Sequence, residues 1–215
     1  MRFSRAVFVV LLALVLAPAR ATDWGELMSR EQAMRQLDSS DARARREALA
    51  RLAEIGTPDD VPYMLRLLRD DDRQVRGMAE QALWGLWLRP NDLAAKRMFL
   101  SGIVLIQQNE MQKAITQLDE LIAYKPEFAE AWNKRGDAWL ELGEFERALA
   151  DYRETLRINP YHFGAMQSSG EIWLERGDGR RAADYFRQAL EINPNLLFLV
   201  PILRELEGRL ENDRI

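Results

Sequence analysis

A 34-residue period is the feature that most limits what this chain can fold into. Glycine, alanine and proline each return with this spacing in three successive copies. A fixed period of this length predicts stacked helical hairpins, because one hairpin cannot bury its own apolar face and needs neighbours. The recurring residues are Gly102, Gly136 and Gly170, then Ala114, Ala148 and Ala182, then Pro126, Pro160 and Pro194.

The middle copy, residues 129–160, resembles the tetratricopeptide repeat. In this family the small residues lie where the two helices of a hairpin cross, the aromatic residues fill the space between hairpins, and the proline ends the second helix. The third copy keeps the pattern, and the first copy, residues 95–126, is the most divergent. The residues that carry the resemblance are Trp132, Gly136, Trp139, Ala148, Tyr152 and Pro160.

Residues 29–88 repeat with a different offset, of 31. Asp41 and Arg45 of the first copy recur as Asp72 and Arg76 of the second, within a shared pattern of apolar positions. Two helix pairs of this kind resemble short HEAT repeats. We expect Asp72, the last residue of the acidic run 70–72, to cap a helix rather than to bind a metal, and Arg45 and Arg76 to pair with carboxylates in the turns.

Together these repeats predict an all-α protein, a right-handed helical-repeat solenoid. Two HEAT-like helix pairs come first, then three tetratricopeptide units, then a capping helix. Because only a short junction separates the two arrays, we expect them to pack as one continuous solenoid. The predicted segments are a signal peptide at 1–21, the HEAT-like pairs at 22–90, the tetratricopeptide units at 91–194 and the capping helix at 195–215.

The N-terminal segment has the pattern of an export signal. Arg2 and Arg5 precede an uninterrupted apolar run at 6–17, and a small-x-small pattern ends at Ala21. The run is shorter than the roughly 20 residues that a membrane-spanning helix needs. We therefore expect cleavage, a mature protein that begins at Thr22, no stable membrane span and a periplasmic or secreted location. An uncleaved membrane anchor is the alternative.

Composition excludes several kinds of chemistry. The chain has no cysteine, which rules out disulfides, thiolate metal sites and a cysteine nucleophile. Its net charge of −4 gives no basic footprint for nucleic acid. The one histidine, His162, follows a proline in a turn between repeats, where we expect it to be solvated. The sequence therefore predicts no catalytic, cofactor-binding or metal-binding residue, and a protein that is not an enzyme.

The resemblance to tetratricopeptide repeats implies a concave groove lined by the first helix of each unit. Apolar side chains dominate the groove positions of the first unit, and carboxylates dominate those of the second and third. The implied groove residues are Lys96, Phe99, Ile103, Ile106 and Gln107, then Asn133, Asp137 and Glu141, then Gln167, Glu171 and Glu175.

This charge pattern favours a peptide or protein partner that carries basic residues and a hydrophobic anchor. The same carboxylates are also compatible with a solvated helix face. The resulting hypothesis is a non-catalytic scaffold or adaptor of a bacterial-type cell envelope. An accessory subunit of an envelope enzyme, or of a secretion or assembly complex, is the alternative.

Overall fold

The computed structural model describes residues 28–212, and every regular element in that range is helical, which confirms the predicted all-α repeat class. No helix in this range is long and apolar enough to cross a bilayer. The first four helices are α1 (Arg30–Gln36), α2 (Ala42–Ile55), α3 (Val61–Leu67), which follows a 3-10 turn (Pro58–Asp60), and α4 (Arg73–Trp87). The other seven are α5 (Leu93–Gln107), α6 (Met111–Tyr124), α7 (Ala129–Glu141), α8 (Phe145–Ile158), α9 (Phe163–Glu175), α10 (Gly179–Ile192) and α11 (Leu199–Asn212).

Aspartates and arginines organise the HEAT-like helices α1 to α4. Asp72 accepts hydrogen bonds from the first backbone amides of α4 and caps this helix as predicted, and Asp41 caps α2 in the same way. Arg45 Nη2 donates to Asp70 Oδ1 at 2.8 Å, which confirms the predicted pairing with a turn carboxylate. Arg76 differs, because its Nη1 donates to the backbone oxygen of Asp70 instead.

Helices α5 to α10 form three hairpins, and α11 packs on α10 as the capping helix. Within the second and third hairpins an aromatic ring of the second helix lies directly on a glycine of the first. Tyr152 of α8 covers Gly136 of α7, and Phe186 of α10 covers Gly170 of α9. Both aromatic side chains are fully buried. The glycines of the 34-residue period therefore recur because a side chain there would displace a buried side chain, which is Leu118 rather than an aromatic ring at Gly102.

The substitution Gly170→Ala is expected to destabilise the protein by about 1–3 kcal/mol through overpacking. A Cβ at this position would lie 2.6 Å from Cδ1 of Phe186. Gly77, in the middle of α4, is the matched control, because a Cβ there would meet no atom within 4 Å. We expect Gly77→Ala to stabilise the protein by about 0.5–1 kcal/mol, since alanine favours helix. Urea denaturation measures both; equal effects would contradict this packing.

The expectation that the two arrays stack in succession is wrong. Among the described helices, neither α2 nor α4 packs extensively on α5. The HEAT-like pairs fold back instead onto the third tetratricopeptide unit. Arg69 donates to the backbone oxygen of Glu191, and Arg76 Nε donates to Asn195 Oδ1 at 3.1 Å. Asn195 Nδ2 in turn donates to the backbone oxygen of Leu68 at 2.8 Å.

The hydrophobic core follows this return of the chain. Apolar side chains of α1 to α4 share one core with those of α9, α10 and α11. Helices α5 and α6 and the start of α7 have a separate core of their own. The repeat that follows the junction in sequence is therefore not the repeat on which the HEAT-like pairs pack.

Candidate functional site

Two tryptophans of α4 meet the third tetratricopeptide unit at the start of its first helix. The Trp84 ring contacts the rings of His162 and Phe163 edge-on, with centroids 5.3 and 5.2 Å away, and Trp87 lies beside them. Gly164 makes room for this contact, because a Cβ there would lie 2.9 Å from Cη2 of Trp84. Gly164 occupies the second position of its helix, where the repeat pattern faces the groove. Helix α4 therefore covers that end of the concave surface.

His162 is buried, which corrects the expectation of a solvated side chain. It is 0% exposed and its ring stacks on Trp87, with centroids 5.1 Å apart. Its Nδ1 accepts a hydrogen bond from the backbone amide of Ala165, so the proton resides on Nε2. Nε2 then donates to Glu130 Oε2 at 2.8 Å. The histidine thus joins the second and third units beneath α4.

Glu130 is a buried carboxylate within a charged cluster of α7. Burial raises the pKa of Glu130, but Lys134, His162 and Asn133 together lower it below its ordinary value. Burial likewise acts to lower the pKa of Lys134, and the carboxylates of Asp137 and Glu130 reverse this and raise it. Lys134 Nζ lies 2.9 Å from Asp137 and 3.5 Å from Glu130. One lysine of the same helix therefore pairs with both Glu130 and Asp137.

A second set of polar contacts connects α7, α8 and α9. The hydroxyl of Tyr152 donates to Asp137 Oδ1 at 2.9 Å, and burial together with this carboxylate raises the pKa of Tyr152 well above its ordinary value. Gln167 Nε2 donates to Glu171 Oε1 at 2.9 Å. Desolvation raises the pKa of Glu171, Gln167 opposes this and Asp137 adds to it, although part of the Glu171 side chain remains exposed. Asp137, Gln167 and Glu171 thus share one surface across two repeats, above the buried Tyr152. We call these three residues the acidic groove.

The first unit contributes less to the concave surface than the repeat pattern implied. Phe99 is 3% exposed and belongs to the core, so it is not available to a ligand. Ile103 and Ile106 are partly buried against the same core. Of this unit's groove positions, only Lys96 and Gln107 are exposed.

The remaining groove residues differ in how deeply they are buried. Asn133 is 3% exposed, and its Nδ2 donates to Glu130 Oε1 at 3.3 Å, so it lies below the surface. Its Oδ1 is buried and has no hydrogen-bond donor within residues 28–212. Glu141 is half-buried and Glu175 is exposed.

Sequence reasoning placed Glu130 at a groove position but missed its burial, and it missed Lys134 and Trp84 as site residues. The spacing of Lys134, four residues after Glu130 and three before Asp137, is a signal for ion pairs on one helix face. No local signal places Trp84 on the third unit, because that contact joins residues far apart in sequence. Over residues 28–212, no group of three or more histidine, aspartate or glutamate side chains is arranged to hold a metal ion.

Family comparisons agree with the two arrays. Residues 99–163 match the model described as tetratricopeptide repeat, and residues 10–84 match the model described as HEAT repeats. Each match covers less than half of the chain. No protein of curated function matches the sequence.

Solved structures of tetratricopeptide domains have a similar fold. The first such domain of Spaghetti (RPAP3), bound to the HSP90 peptide SRMEEVD, aligns with a TM-score of 0.51 at 20% identity, over 54% of this chain and 93% of that one. YrrB, a repeat protein with an unusual peptide-binding site, gives a TM-score of 0.48 at 19% identity, over 81% and 80%. The TPR2B domain of yeast Sti1 in its pHsp70 complex gives 0.46 at 19%, over 53% and 90%. At these identities the likeness concerns the fold alone.

Proposed function

We propose that this tetratricopeptide-repeat protein, which also carries HEAT-like helix pairs, is a non-catalytic scaffold that binds a peptide or partner protein in its acidic groove. The observation that carries the proposal is the position of Glu171, which is exposed beside Asp137 across two repeats and accepts a hydrogen bond from Gln167 Nε2. Desolvation and the nearby Asp137 raise its pKa, and a cationic group of a ligand would lower it again.

We further propose which carboxylate of the groove meets the ligand. Asp137 already has Lys134 and Tyr152 as partners, so Glu171 rather than Asp137 is the carboxylate that a lysine or arginine of the ligand would meet. A hydrophobic residue of the ligand would lie towards Ile103 and Ile106, which keep part of their surface exposed.

The fold supports this proposal in general terms. The Spaghetti domain, which shares the fold, was solved with a bound HSP90 peptide. Stacked repeats present a continuous concave surface, and such surfaces suit extended or helical peptides. The nature of the ligand rests on the residues of this chain, because function depends on the site rather than on the fold.

Charge reversal at Glu171 tests the groove. A random peptide library is panned against the full chain, and the affinity of the best peptide is measured by fluorescence anisotropy. We expect Glu171→Lys to weaken binding by about tenfold at low salt, and by less at high salt, because complementary charge acts through a screened field. Glu120→Lys on α6 is the matched control, since Glu120 is also exposed and also accepts from a glutamine of its own helix.

The result that overturns the proposal is equally clear. If the selected peptides bound wild type, Glu171→Lys and Glu120→Lys with the same affinity, the binding surface would have to lie outside the acidic groove. Thermal melting of each variant checks that it is folded, so that a loss of affinity cannot be caused by unfolding.

The export of the protein is part of the proposal. It is supported by the residue pattern of the segment 1–21, which lies outside the described residues. We expect the intact mass of protein from an envelope fraction to correspond to a chain that begins at Thr22. A full-length product in the cytoplasm would contradict export, and a full-length product in the membrane fraction would indicate an uncleaved anchor.

An accessory subunit is the second candidate function. Leu93, Leu100 and Val104 of α5 are large apolar residues with about half or more of their surface exposed, at 63%, 47% and 48%. Exposed apolar patches mark surfaces that another protein covers. An adaptor is expected to be a monodisperse monomer on its own, whereas a subunit is expected to aggregate until its partner is added.

A further inference from the structure

The first tetratricopeptide unit lacks a neighbour that the other two have. In the second unit α7 packs on α6, and in the third unit α9 packs on α8. Each first helix is thus covered by the second helix of the preceding hairpin. Among residues 28–212, no second helix of a preceding hairpin packs on α5, because the HEAT-like helices before it share their core with the third unit and α11.

The 34-residue register identifies the face of α5 that is left open. Val104 corresponds to Ala138 of α7 and Ile172 of α9. Both of these are 0% exposed, whereas Val104 is 48% exposed. Leu93 and Leu100 lie along the same side of α5 as Val104, because residues spaced by four and seven share a helix face.

Arg97 lies between these apolar residues and confirms the register. Its counterparts Ala131 and Ala165 are fully buried, whereas Arg97 is exposed. A long cation therefore stands where the other two units have a small side chain beneath a neighbouring helix. We call Leu93, Arg97, Leu100 and Val104 the α5 face; it extends for about 16 Å along the helix.

We infer that the α5 face docks an amphipathic helix of another protein, one with an apolar stripe flanked by carboxylates. Such a helix would take the place that α6 takes on α7 and α8 takes on α9. The inference concerns a surface separate from the acidic groove, and it holds whether or not a peptide binds there.

Charge identifies the occupant. Helix α5 contains no aspartate or glutamate, and Lys96 and Arg97 have no acidic partner in the part of the chain that the structure describes. If a second copy docked through its own α5 face, Lys96 and Arg97 of the two copies would lie close together and repel each other. The segment 1–21 also carries arginines and no acid. A helix with carboxylates on its flanks satisfies both cations, and complementary charge fixes the register of the docked helix.

The test uses a displayed library of amphipathic helical peptides of about 18 residues, long enough to be helical. Each peptide has a leucine stripe, and its flanking positions vary among glutamate, lysine and glutamine. We expect the full chain to enrich glutamate at those positions. The double substitution Lys96→Glu and Arg97→Glu is expected to reverse the preference to lysine, which a purely hydrophobic patch would not do.

Two further variants locate the contact. Leu100→Asp and Val104→Asp are each expected to lower the affinity of the selected peptide by about tenfold or more, since each puts a charge into the apolar stripe. Leu142→Asp is the control, because Leu142 has a similar exposure of 46% but lies at the end of α7. Glu171→Lys should leave this peptide unaffected, which separates failure here from failure of the acidic groove.

Several results would overturn the inference. They are a selection without charge preference, a preference that survives the double substitution, or binding that is unchanged in Leu100→Asp and Val104→Asp. A dimer in analytical ultracentrifugation that Val104→Asp dissociates would assign the face to a second copy. Binding to phosphatidylserine vesicles that Lys96→Glu and Arg97→Glu abolish, without selection of any helix, would assign it to a membrane surface.

Discussion

The substitution Glu130→Ala is expected to lower the free energy of unfolding by about 3–5 kcal/mol, the usual cost of removing one partner from a buried ion pair. Glu130 is 1% exposed and has His162, Lys134 and Asn133 as partners. Without it, the Nε2 proton of His162 has no acceptor and Lys134 keeps only Asp137. Urea denaturation at neutral pH measures the loss.

A surface glutamate supplies the control for this prediction. Glu146 pairs with Arg176, but its side chain is 81% exposed. Exposed ion pairs contribute little to stability, so Glu146→Ala should leave the urea midpoint almost unchanged. Similar losses for Glu130→Ala and Glu146→Ala would mean that the buried cluster is not a structural element.

The same cluster predicts a dependence on pH. The pKa of Glu130 is lower in the folded protein than its ordinary value near 4.5. A carboxyl group with a lowered pKa contributes stability above its unfolded pKa, and this contribution is lost as the pH falls through the folded value. Glu130→Ala should therefore differ most from wild type above pH 4.5 and less below it.

Replacing Trp84 with alanine is expected to destabilise the protein by about 3 kcal/mol, at the lower end for a large aromatic residue because Trp84 is only partly buried. The ring contacts His162, Phe163 and Trp87 at centroid distances of 5.2–5.3 Å. For a chain of this size the melting temperature should fall by about 6–12 °C. Differential scanning calorimetry measures this change.

Substitution of an exposed aromatic residue is the control that separates the loss of the Trp84 contacts from the loss of any aromatic ring. Tyr124 of α6 is 57% exposed, and Tyr124→Ala should change the melting temperature little. We also expect Trp84→Ala to loosen the return of the HEAT-like pairs onto the third unit, which small-angle scattering reports as a larger radius of gyration. An unchanged radius with unchanged melting would show that α4 is not held by this tryptophan.

Local features of the fold were predictable from sequence because they depend on neighbouring residues. The glycine period marks the positions where Tyr152 and Phe186 lie on the preceding helix. The caps at Asp41 and Asp72 follow from the first residues of α2 and α4. Each of these depends on contacts within one hairpin or one turn.

Contacts between distant segments were not predictable, and they changed the candidate site. The return of α4 onto α9 buries His162 and covers Gly164, although nothing near either residue indicates it. Phe99 was expected in the groove because the repeat register places it there, but the separate core of the first unit takes it up. The repeat register gives the direction in which a side chain points, whereas its burial depends on which elements pack above it.

Hydrogen–deuterium exchange of the wild-type chain, with and without a peptide selected for the acidic groove, locates the ligand most directly. We predict slower exchange in α7 and α9 around Asp137 and Glu171 when the peptide is bound, with protection in α5 limited to its end around Ile103 and Ile106, and unchanged exchange in α1 to α3. The same peptide should give no protection in Glu171→Lys at the same concentration. Protection confined to α5 or to the HEAT-like helices, with α7 and α9 unchanged, would contradict a ligand-binding acidic groove.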